Sequence, residues 1–414
     1  MPAEQNHFLR ISPDDNLLVA LQDLPKGSKI ETSGNSFILP SEVPAKHKFS
    51  ETSLPAGTQL KLYGVLVGES TKAIEQGERI TTQNVVHRSE SYRMSEGEFS
   101  WSAPQTESWN NRRFDGYHRS DGSVGTANFW LVVPMVFCEN GNIETLKSSM
   151  LRALGLSKRN QYEIFSQSLA DAYSQGQDPD TVILPEGSNH EPSPIFPNID
   201  GIKFLTHGLG CGETRGISEE LCALLAGYAC NPNVSGITVL SLGCQHAQVS
   251  IMEEEITKRS PNFDKPFLVF EQQKYRSERE MMEQAIRQTY AGLANINQLK
   301  RSPAPLSKLC LGMECGASDG FSGISANPAI GHTADLVTAL GGRIILSEFP
   351  ELCGVEQNIV NRCATSEIGN RFIEIMKNYE LRVQEAGSGF HMNPSPGNVK
   401  DGLTTDAIKS AGAA

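Results

Sequence analysis

The sequence lacks a long apolar segment and an excess of positive charge. No apolar run approaches the roughly 18 residues of a membrane-spanning helix, so we expect no membrane partner. The 36 Lys and Arg residues are outnumbered by 48 Asp and Glu residues, and the net charge of −12 argues against a nucleic-acid partner. The first residues have no secretory signal, and nine dispersed Cys residues do not suggest a disulfide framework. We therefore expect a cytoplasmic protein that acts on a small molecule, and we leave a homo-oligomer open.

Several familiar sequence motifs are absent as well. The chain has no CxxC pair and no HExxH, so spacing alone specifies no metal. A Walker-type GxxxxGK[ST] is missing, which removes the usual sign of a nucleotide phosphate site. The run from His207 to Gly212 contains only GxGxG, which is weak evidence for dinucleotide binding.

Residues 1–92 predict a compact all-β module, because short alternating segments are separated by turn signals such as Pro25-Lys26-Gly27. We expect one of its strands over Gln59–Val67. The phrase Pro44-Ala45-Lys46-His47-Lys48-Phe49 places a histidine between two lysines on a turn. Such a turn could hold the anion of an acid, although a solvated basic loop is the alternative that the residues alone favour.

A linker over residues 93–115 is predicted to lead into a first α/β domain, residues 116–302. Its continuous apolar run Phe129–Cys138 is typical of a strand buried on both faces of a parallel sheet. Strand and helix patterns then alternate up to about residue 299, which predicts a doubly wound domain with ligand contacts at the carboxyl ends of its strands. The Pro303-Ala304-Pro305 joint precedes a second α/β segment, residues 303–414, which looks incomplete.

The stretch Leu309–Pro328 is rich in small residues around Cys315 and Asp319. We interpret it as a strand, a tight turn and a helix start, which could bring backbone N–H groups close to an anion. A plain α/β turn is the alternative.

Four loops follow predicted strands and carry Cys, His or carboxylate residues. Because the ends of parallel strands meet at one crevice, these residues could form a divalent-metal and general-base site. Cys211, Cys244 and Cys315 lie beside glycines at strand ends and are candidates, whereas Cys310 is interpreted as a small buried hydrophobe. The four loops are His207–Arg215, Gly243–His246, Cys315–Gly323 and Glu348–Glu351.

Several long phrases, in the same order, closely resemble the altronate/galactarate dehydratase family over nearly the whole chain. The matching phrases are Asp14–Asn16, Pro44–Phe49, Gly116–Thr126, Gly210–Gly212, Leu242–Cys244, Cys315–Pro328, Ser347–Glu348 and Asn393–Asn398. The resemblance implies an SAF-type (β-clip) domain followed by an α/β dehydratase body. It also implies a divalent metal, iron(II) or manganese(II). We expect the family's C-terminal portion to be missing from this chain.

The family reaction is that of a hydro-lyase. For the altronate branch, which the chain looks most like, it converts D-altronate to 2-dehydro-3-deoxy-D-gluconate and water in galacturonate catabolism. The alternatives are a galactarate or related hydroxy-acid dehydratase, and a non-catalytic fragment that binds a sugar acid.

On this basis we assign roles to particular residues as a hypothesis. The metal is placed among Cys211, Cys244, Cys315 and Asp319. His47 is the favoured acid or base, with His207 and His246 as competitors, and Glu348 orients a metal ligand or a sugar hydroxyl. Substrate binding is assigned to Lys46, Lys48, Arg215, Ser318 and Asn327.

Overall fold

A computed structural model of the 414-residue chain describes residues 7–32, 34–94, 101–157, 161–184, 193–314, 316 and 318–413. The chain forms two compact units. Unit 1 combines Met1–Asn110 with Leu309–Ala414, and unit 2 is Asn111–Lys308. Among the described residues, no helix is both long enough and apolar enough to cross a membrane.

The N-terminal part of unit 1 is a β module of short antiparallel strands. Strands β1, β2 and β5 form one sheet, β3 and β4 a hairpin, and β6, β7 and β8 a third sheet. The strand bounds are β1 Phe8–Leu9, β2 Leu17–Ala20, β3 Lys29–Thr32, β4 Asn35–Ile38, β5 Lys48–Ser50, β6 Gln59–Leu62, β7 Val65–Ser70 and β8 Val85–Val86.

Asp15 and Asn16 hold the hairpin formed by β6 and β7. The buried Asp15 carboxylate accepts hydrogen bonds from the backbone N–H groups of Tyr63 (3.2 Å) and Gly64 (2.8 Å). The Asn16 side chain bonds to the backbone of β6, donating to Gln59 O and accepting from Lys61 N–H, both at 2.9 Å. The run that we interpreted as one strand, Gln59–Val67, is therefore two strands joined by the Tyr63-Gly64 turn, where both residues have positive φ.

The remainder of unit 1 is an α/β segment with a parallel pair of strands, β16 and β17. Helix α6 begins at Ala326, at the end of the stretch interpreted as a strand, a tight turn and a helix start, and Pro328 lies in its first turn. The bounds are β16 Cys310–Met313, α6 Ala326–Ala339, β17 Arg343–Leu346, α7 Glu356–Asn361, α8 Ser366–Glu385, α9 Pro396–Lys400 and α10 Asp406–Ala413.

Residues 401–413 pack onto the β module and complete its core. Leu403, Ala407 and Ile408 are buried in one cluster with residues of β2, β6 and β7. The Thr405 hydroxyl donates a buried hydrogen bond of 2.7 Å to Val67 O. We call residues 401–413 the returning segment.

Unit 2 contains a parallel sheet with the strand order β12-β11-β13-β14, covered by helices, and a smaller antiparallel sheet with the order β10-β9-β15. The sequence prediction of a parallel α/β body is confirmed. The bounds are β9 Arg113–His118, β10 Val124–Gly125, β11 Phe129–Pro134, α1 Asn140–Ala153, α2 Gln161–Ser174, β12 Gly201–Phe204, α3 Arg215–Cys230, β13 Val234–Ser241, α4 Val249–Arg259, β14 Phe267–Glu271, α5 Glu278–Ile296 and β15 Ser302–Pro305.

Two apolar clusters cover the two faces of the parallel sheet. Every residue of β13 is buried, as a central strand of such a sheet requires. Trp130 is 0% exposed, and its indole N–H donates to the Thr238 hydroxyl at 2.9 Å, so the polar atom of this large side chain is satisfied.

Candidate functional site

The basic turn, Lys46-His47-Lys48, leads into strand β5 and is held against the end of β2. Lys46 N–H donates to Ala20 O at 2.8 Å, and Ala20 N–H donates to His47 O at 2.9 Å. Lys46 has a φ of 72°, which is unusual for a residue with a Cβ. The turn is therefore fixed by the backbone and not a loose solvated loop.

Lys46 lies between two carboxylates of unit 1. Its ammonium is 2.5 Å from Asp319 Oδ1 and donates to both Asp401 oxygens, at 3.0 and 3.2 Å. The hydrogen bonds to Asp319 and Asp401 raise the pKa of Lys46, and the bond from Lys46 lowers the pKa of Asp319. Lys46 therefore stays charged and localised, with the Phe321 ring 5.6 Å from the ammonium.

Two glycines allow this close approach. A Cβ on Gly320 would lie 2.6 Å from the Lys46 Cβ. Gly402 has a φ of 92°, and a Cβ there would lie 2.8 Å from Lys46 O. Both positions therefore favour glycine, the second for conformational reasons as well.

His47 is half-buried beside this charge cluster. Its Nδ1 lies 3.2 Å from Ala45 O, and since a carbonyl only accepts, Nδ1 carries the proton and Nε2 is the basic nitrogen of the neutral ring. Burial is the main cause that lowers the pKa of His47, with a further contribution from the positive charges of Arg79 and Lys48. A neutral imidazole near pH 7 is suited to accept a proton.

Lys48 points into the protein. Its side chain is 2% exposed, and the ammonium donates to Gly402 O at 2.9 Å. Desolvation lowers the pKa of Lys48 to about 8. The geometry thus ties Lys48 to the returning segment, while its predicted role in substrate binding stays a prediction.

Unit 2 brings two other predicted residues to one cavity of about 360 Å³. Arg215 is the first residue of α3, and His246 lies in the loop that follows β13. The cavity is lined by Arg215, Glu219, Gln245, His246, Gln248 and Ile251. A cation and a titratable ring at the carboxyl end of a parallel strand are compatible with an anionic ligand.

His207 has a different environment in unit 2. Its Nε2 lies 3.0 Å from Pro134 O, so it donates, and its Nδ1 accepts from Leu209 N–H at 3.1 Å. Both ring nitrogens are therefore held by backbone groups. This arrangement favours a structural role for His207 over proton transfer.

Three of the four predicted metal ligands, Cys211, Cys244 and Asp319, lie among the described residues. Cys211 and Cys244 are exposed and close enough for a hydrogen bond; partial desolvation and this contact raise the pKa of Cys211. Asp319 is bound to Lys46, and Cys315 lies outside the described residues. Over the described part of the chain, no group of three or more His, Cys, Asp or Glu side chains is arranged to hold a metal ion. The four predicted metal ligands therefore stay a prediction; thiols are the kind of ligand that iron(II) accepts.

The other predicted residues lie in unit 1. Asn327 donates from its side-chain amide to Gly412 O at 2.6 Å, which joins the start of α6 to the returning segment. Ser318 and Glu348 are half-buried. Cys310, which we interpreted as a buried hydrophobe, is exposed, because it lies on a two-stranded sheet.

Sequence reasoning missed Asp401, the second carboxylate on Lys46. It lies 355 positions away from Lys46 along the chain, and it precedes Gly402 in a turn-rich stretch. An acidic residue next to a glycine was the only local signal, and it resembles many surface turns.

Three family models match three successive segments of the chain. Their order agrees with a β module followed by an α/β body. Residues 6–88 match the altronate/galactarate dehydratase SAF domain, residues 116–297 the second domain of D-galactarate dehydratase/altronate hydrolase, and residues 306–414 the C-terminal domain of D-galactarate/altronate dehydratase. The chain belongs to the altronate/galactarate dehydratase family, and it is a hydro-lyase.

Curated relatives are similar over almost all of the chain. An altronate dehydratase of Bacillus subtilis (strain 168) is 28% identical over 98% of this chain and 72% of its own length. An altronate dehydratase of Escherichia coli (strain K12) is 27% identical over the same shares. A galactarate dehydratase (L-threo-forming) of the same strain is 26% identical, over 98% of this chain and 71% of its own length.

The expectation that the family's C-terminal portion is missing is wrong. Residues 306–414 match the C-terminal domain, so that domain is represented in the chain. The returning segment buries its apolar residues against the β module, so the segment does not form an independent α/β layer.

Proposed function

We propose that the protein removes water from D-altronate to give 2-dehydro-3-deoxy-D-gluconate, in the catabolism of hexuronates such as galacturonate. The names of two relatives support an aldonate as the substrate. The observation that carries the proposal is the basic turn. It combines a localised ammonium on Lys46 with a neutral, half-buried imidazole on the adjacent His47.

The reaction needs a base for the proton on C2, an acid for the departing hydroxyl on C3, and stabilisation of the enediolate between these steps. In our proposal, His47 Nε2 accepts the C2 proton. The hydroxyl on C3 takes up a proton and leaves as water. The resulting enol then becomes the 2-keto acid.

Lys46 would bind the substrate carboxylate. Its ammonium has three N–H donors, and a substrate carboxylate would share it with Asp319 and Asp401. Two negative partners that hold the ammonium in place also restrict how much additional charge it can neutralise. A second positive group is therefore expected to help at the enediolate stage.

We propose a divalent metal, iron(II) or manganese(II), as that group. A bound cation would supply Lewis-acid stabilisation of the enediolate. Among the predicted ligands, Asp319 lies next to the basic turn, 2.5 Å from the Lys46 ammonium. The ligand roles of Cys211, Cys244 and Cys315 stay predictions.

The test compares His47→Ala and His47→Gln with His7→Ala, which replaces an exposed histidine of the same β module. Product is measured as 2-keto acid from a panel of aldonates and aldarates with added iron(II). We expect kcat to fall by at least about a hundredfold in both His47 variants, as is usual for loss of a general base, and to be retained in His7→Ala. Wild-type kcat in His47→Gln would refute the assignment.

Galactarate is the second candidate substrate, favoured by the relative of that name. The same panel distinguishes the two. Higher kcat/KM for galactarate than for altronate would reassign the substrate, whereas binding without any keto-acid product would indicate a non-catalytic sugar-acid binding protein.

A further inference from the structure

A cavity of about 380 Å³ lies in unit 1. We call it the aromatic cavity. Its volume is in the range of small-molecule sites. Its lining residues are contributed by the turn after β17, by α8 and the residues that follow it, and by α10. They are Pro350, Glu351, Tyr379, Val383, Ala386, Ser388, Gly389, Phe390, Asn393 and Asp406.

One wall is formed by fixed aromatic rings. Tyr379 and Phe390 are stacked with their centroids 5.8 Å apart and their planes at 17°. Phe349 packs edge-on against Tyr379, with centroids 5.2 Å apart. These contacts hold the two lining rings in one orientation, so the cavity has a preformed apolar wall.

The other side of the cavity is polar but has little net charge. Glu351 is paired with Lys409, whose ammonium is 2.8 Å from its Oε2. Asp406 is 2% exposed and accepts from the Asn393 side-chain amide at 3.0 Å. The polar groups are thus carboxyl and amide groups held by neighbours, which are the usual partners of hydroxyl groups.

We propose that the aromatic cavity is a binding site for an uncharged sugar in its ring form. The C–H face of a sugar ring is apolar and slightly positive, so it suits the aromatic rings of Tyr379 and Phe390 that line the cavity. Its hydroxyl groups can both donate to and accept from Asp406 and Asn393. An anionic ligand is disfavoured because the described lining residues include no Lys or Arg, and a cationic one because Lys409 lies beside Glu351.

Protonation of Asp406 gives the proposal a pH signature. Burial raises the pKa of Asp406 to about 7, and the negative charges of Glu351 and Glu356 add to this increase. The charge of Lys409 and the hydrogen bond from Asn393 act in the opposite direction and lower the pKa. A sugar hydroxyl that donates to this carboxylate favours the ionised form. Affinity should therefore rise as the pH increases through about 7.

The test is binding, measured by calorimetry on the full chain at pH 6 and pH 8, without turnover. The probes are methyl glucopyranoside and methyl galactopyranoside, with galactonate and galactosamine as charged counterparts. We expect a methyl glycoside to bind, and Phe390→Ala to weaken it by about tenfold, equivalent to one lost ring contact. Asp406→Asn should weaken binding and remove the pH dependence. Tyr173→Ala, which removes a tyrosine that is 79% exposed on α2, is the control and should bind normally.

Circular dichroism separates loss of binding from loss of fold, and the nearly isosteric Asp406→Asn provides a second variant if Phe390→Ala unfolds. The proposal is overturned if neither methyl glycoside binds the wild type. It is also overturned if galactosamine binds more tightly than the methyl glycosides, or if galactonate binds more tightly with an affinity that Phe390→Ala reduces. Binding of a methyl glycoside to folded Phe390→Ala or Asp406→Asn as tightly as to the wild type would overturn it as well. None of these outcomes depends on whether the protein dehydrates altronate.

Discussion

Replacement of Lys48 by Met should make the stability of the β module less dependent on pH. Desolvation lowers the pKa of Lys48 from its ordinary 10.5 to about 8. A shift of that size corresponds to a cost of about 3 kcal/mol for keeping the ammonium charged in the folded protein. Met occupies a similar volume and carries no charge.

The sign follows from proton binding. At pH 7 both the folded and the unfolded chain carry the charged Lys48, and the folded chain bears the whole cost. Between about pH 8 and pH 10.5 the folded chain has released the proton and the unfolded chain still binds it, so the wild type gains stability as the pH rises. Lys48→Met has no such gain, so its stability relative to the wild type should fall by about 3 kcal/mol across that window.

The absolute difference at pH 7 is smaller, because the variant also leaves Gly402 O without its donor. An unsatisfied buried carbonyl costs about 1–3 kcal/mol, so Lys48→Met should be between neutral and about 2 kcal/mol more stable than the wild type at that pH. The change with pH, and not the value at pH 7, is therefore the decisive quantity.

Pulse proteolysis in urea between pH 7 and pH 10.5 measures this quantity, with mass spectrometry to locate cleavage within residues 7–94. Lys61→Met, at an exposed position of β6, is the matched control and should show no comparable change. A stability difference between Lys48→Met and the wild type that stays constant over the window would refute the burial of a charged Lys48.

Three further predictions concern the site. Because burial lowers the pKa of His47, kcat/KM should fall only below about pH 6.5, where the base becomes protonated. A pH–rate profile in which kcat/KM begins to fall above pH 7 would contradict this. Gly402→Ala should lower the free energy of unfolding by more than about 1 kcal/mol, because the residue has a φ of 92° and its new Cβ would lie 2.8 Å from Lys46 O. Urea unfolding measures this change. The control is Gly141→Ala, where the new Cβ has no atom within 4 Å. Chelation should abolish keto-acid formation, and readdition of iron(II) or manganese(II) should restore it; full activity after exhaustive chelation would remove the metal from the proposal.

The parallel body could be predicted well from the sequence. The apolar run from Phe129 contains β11, and the alternation of strand and helix patterns that follows it corresponds to β12 to β14 and the helices between them. These elements follow local rules, because an apolar run flanked by polar turns leaves little choice of secondary structure. The order of the domains could be predicted because several motifs resemble those of one family.

The parts that were missed depend on distant contacts. Pro303–Pro305 was interpreted as a joint and lies in β15, at the edge of a sheet, where a proline need not donate to a neighbour. Asp401 reaches Lys46 only because the returning segment folds back onto the β module. A contact between residues so far apart in the chain leaves no local pattern, so it could not be predicted from this sequence alone.

The fold also affects the order of events during synthesis. Val67 leaves the ribosome 338 residues before Thr405, the side chain that bonds to it. During that interval the apolar residues of the β module that Leu403, Ala407 and Ile408 later cover are exposed to solvent. The nascent β module can then bind chaperones or associate incorrectly. Lys46 and Asp401 therefore meet only after the 355 positions that separate them have been synthesised.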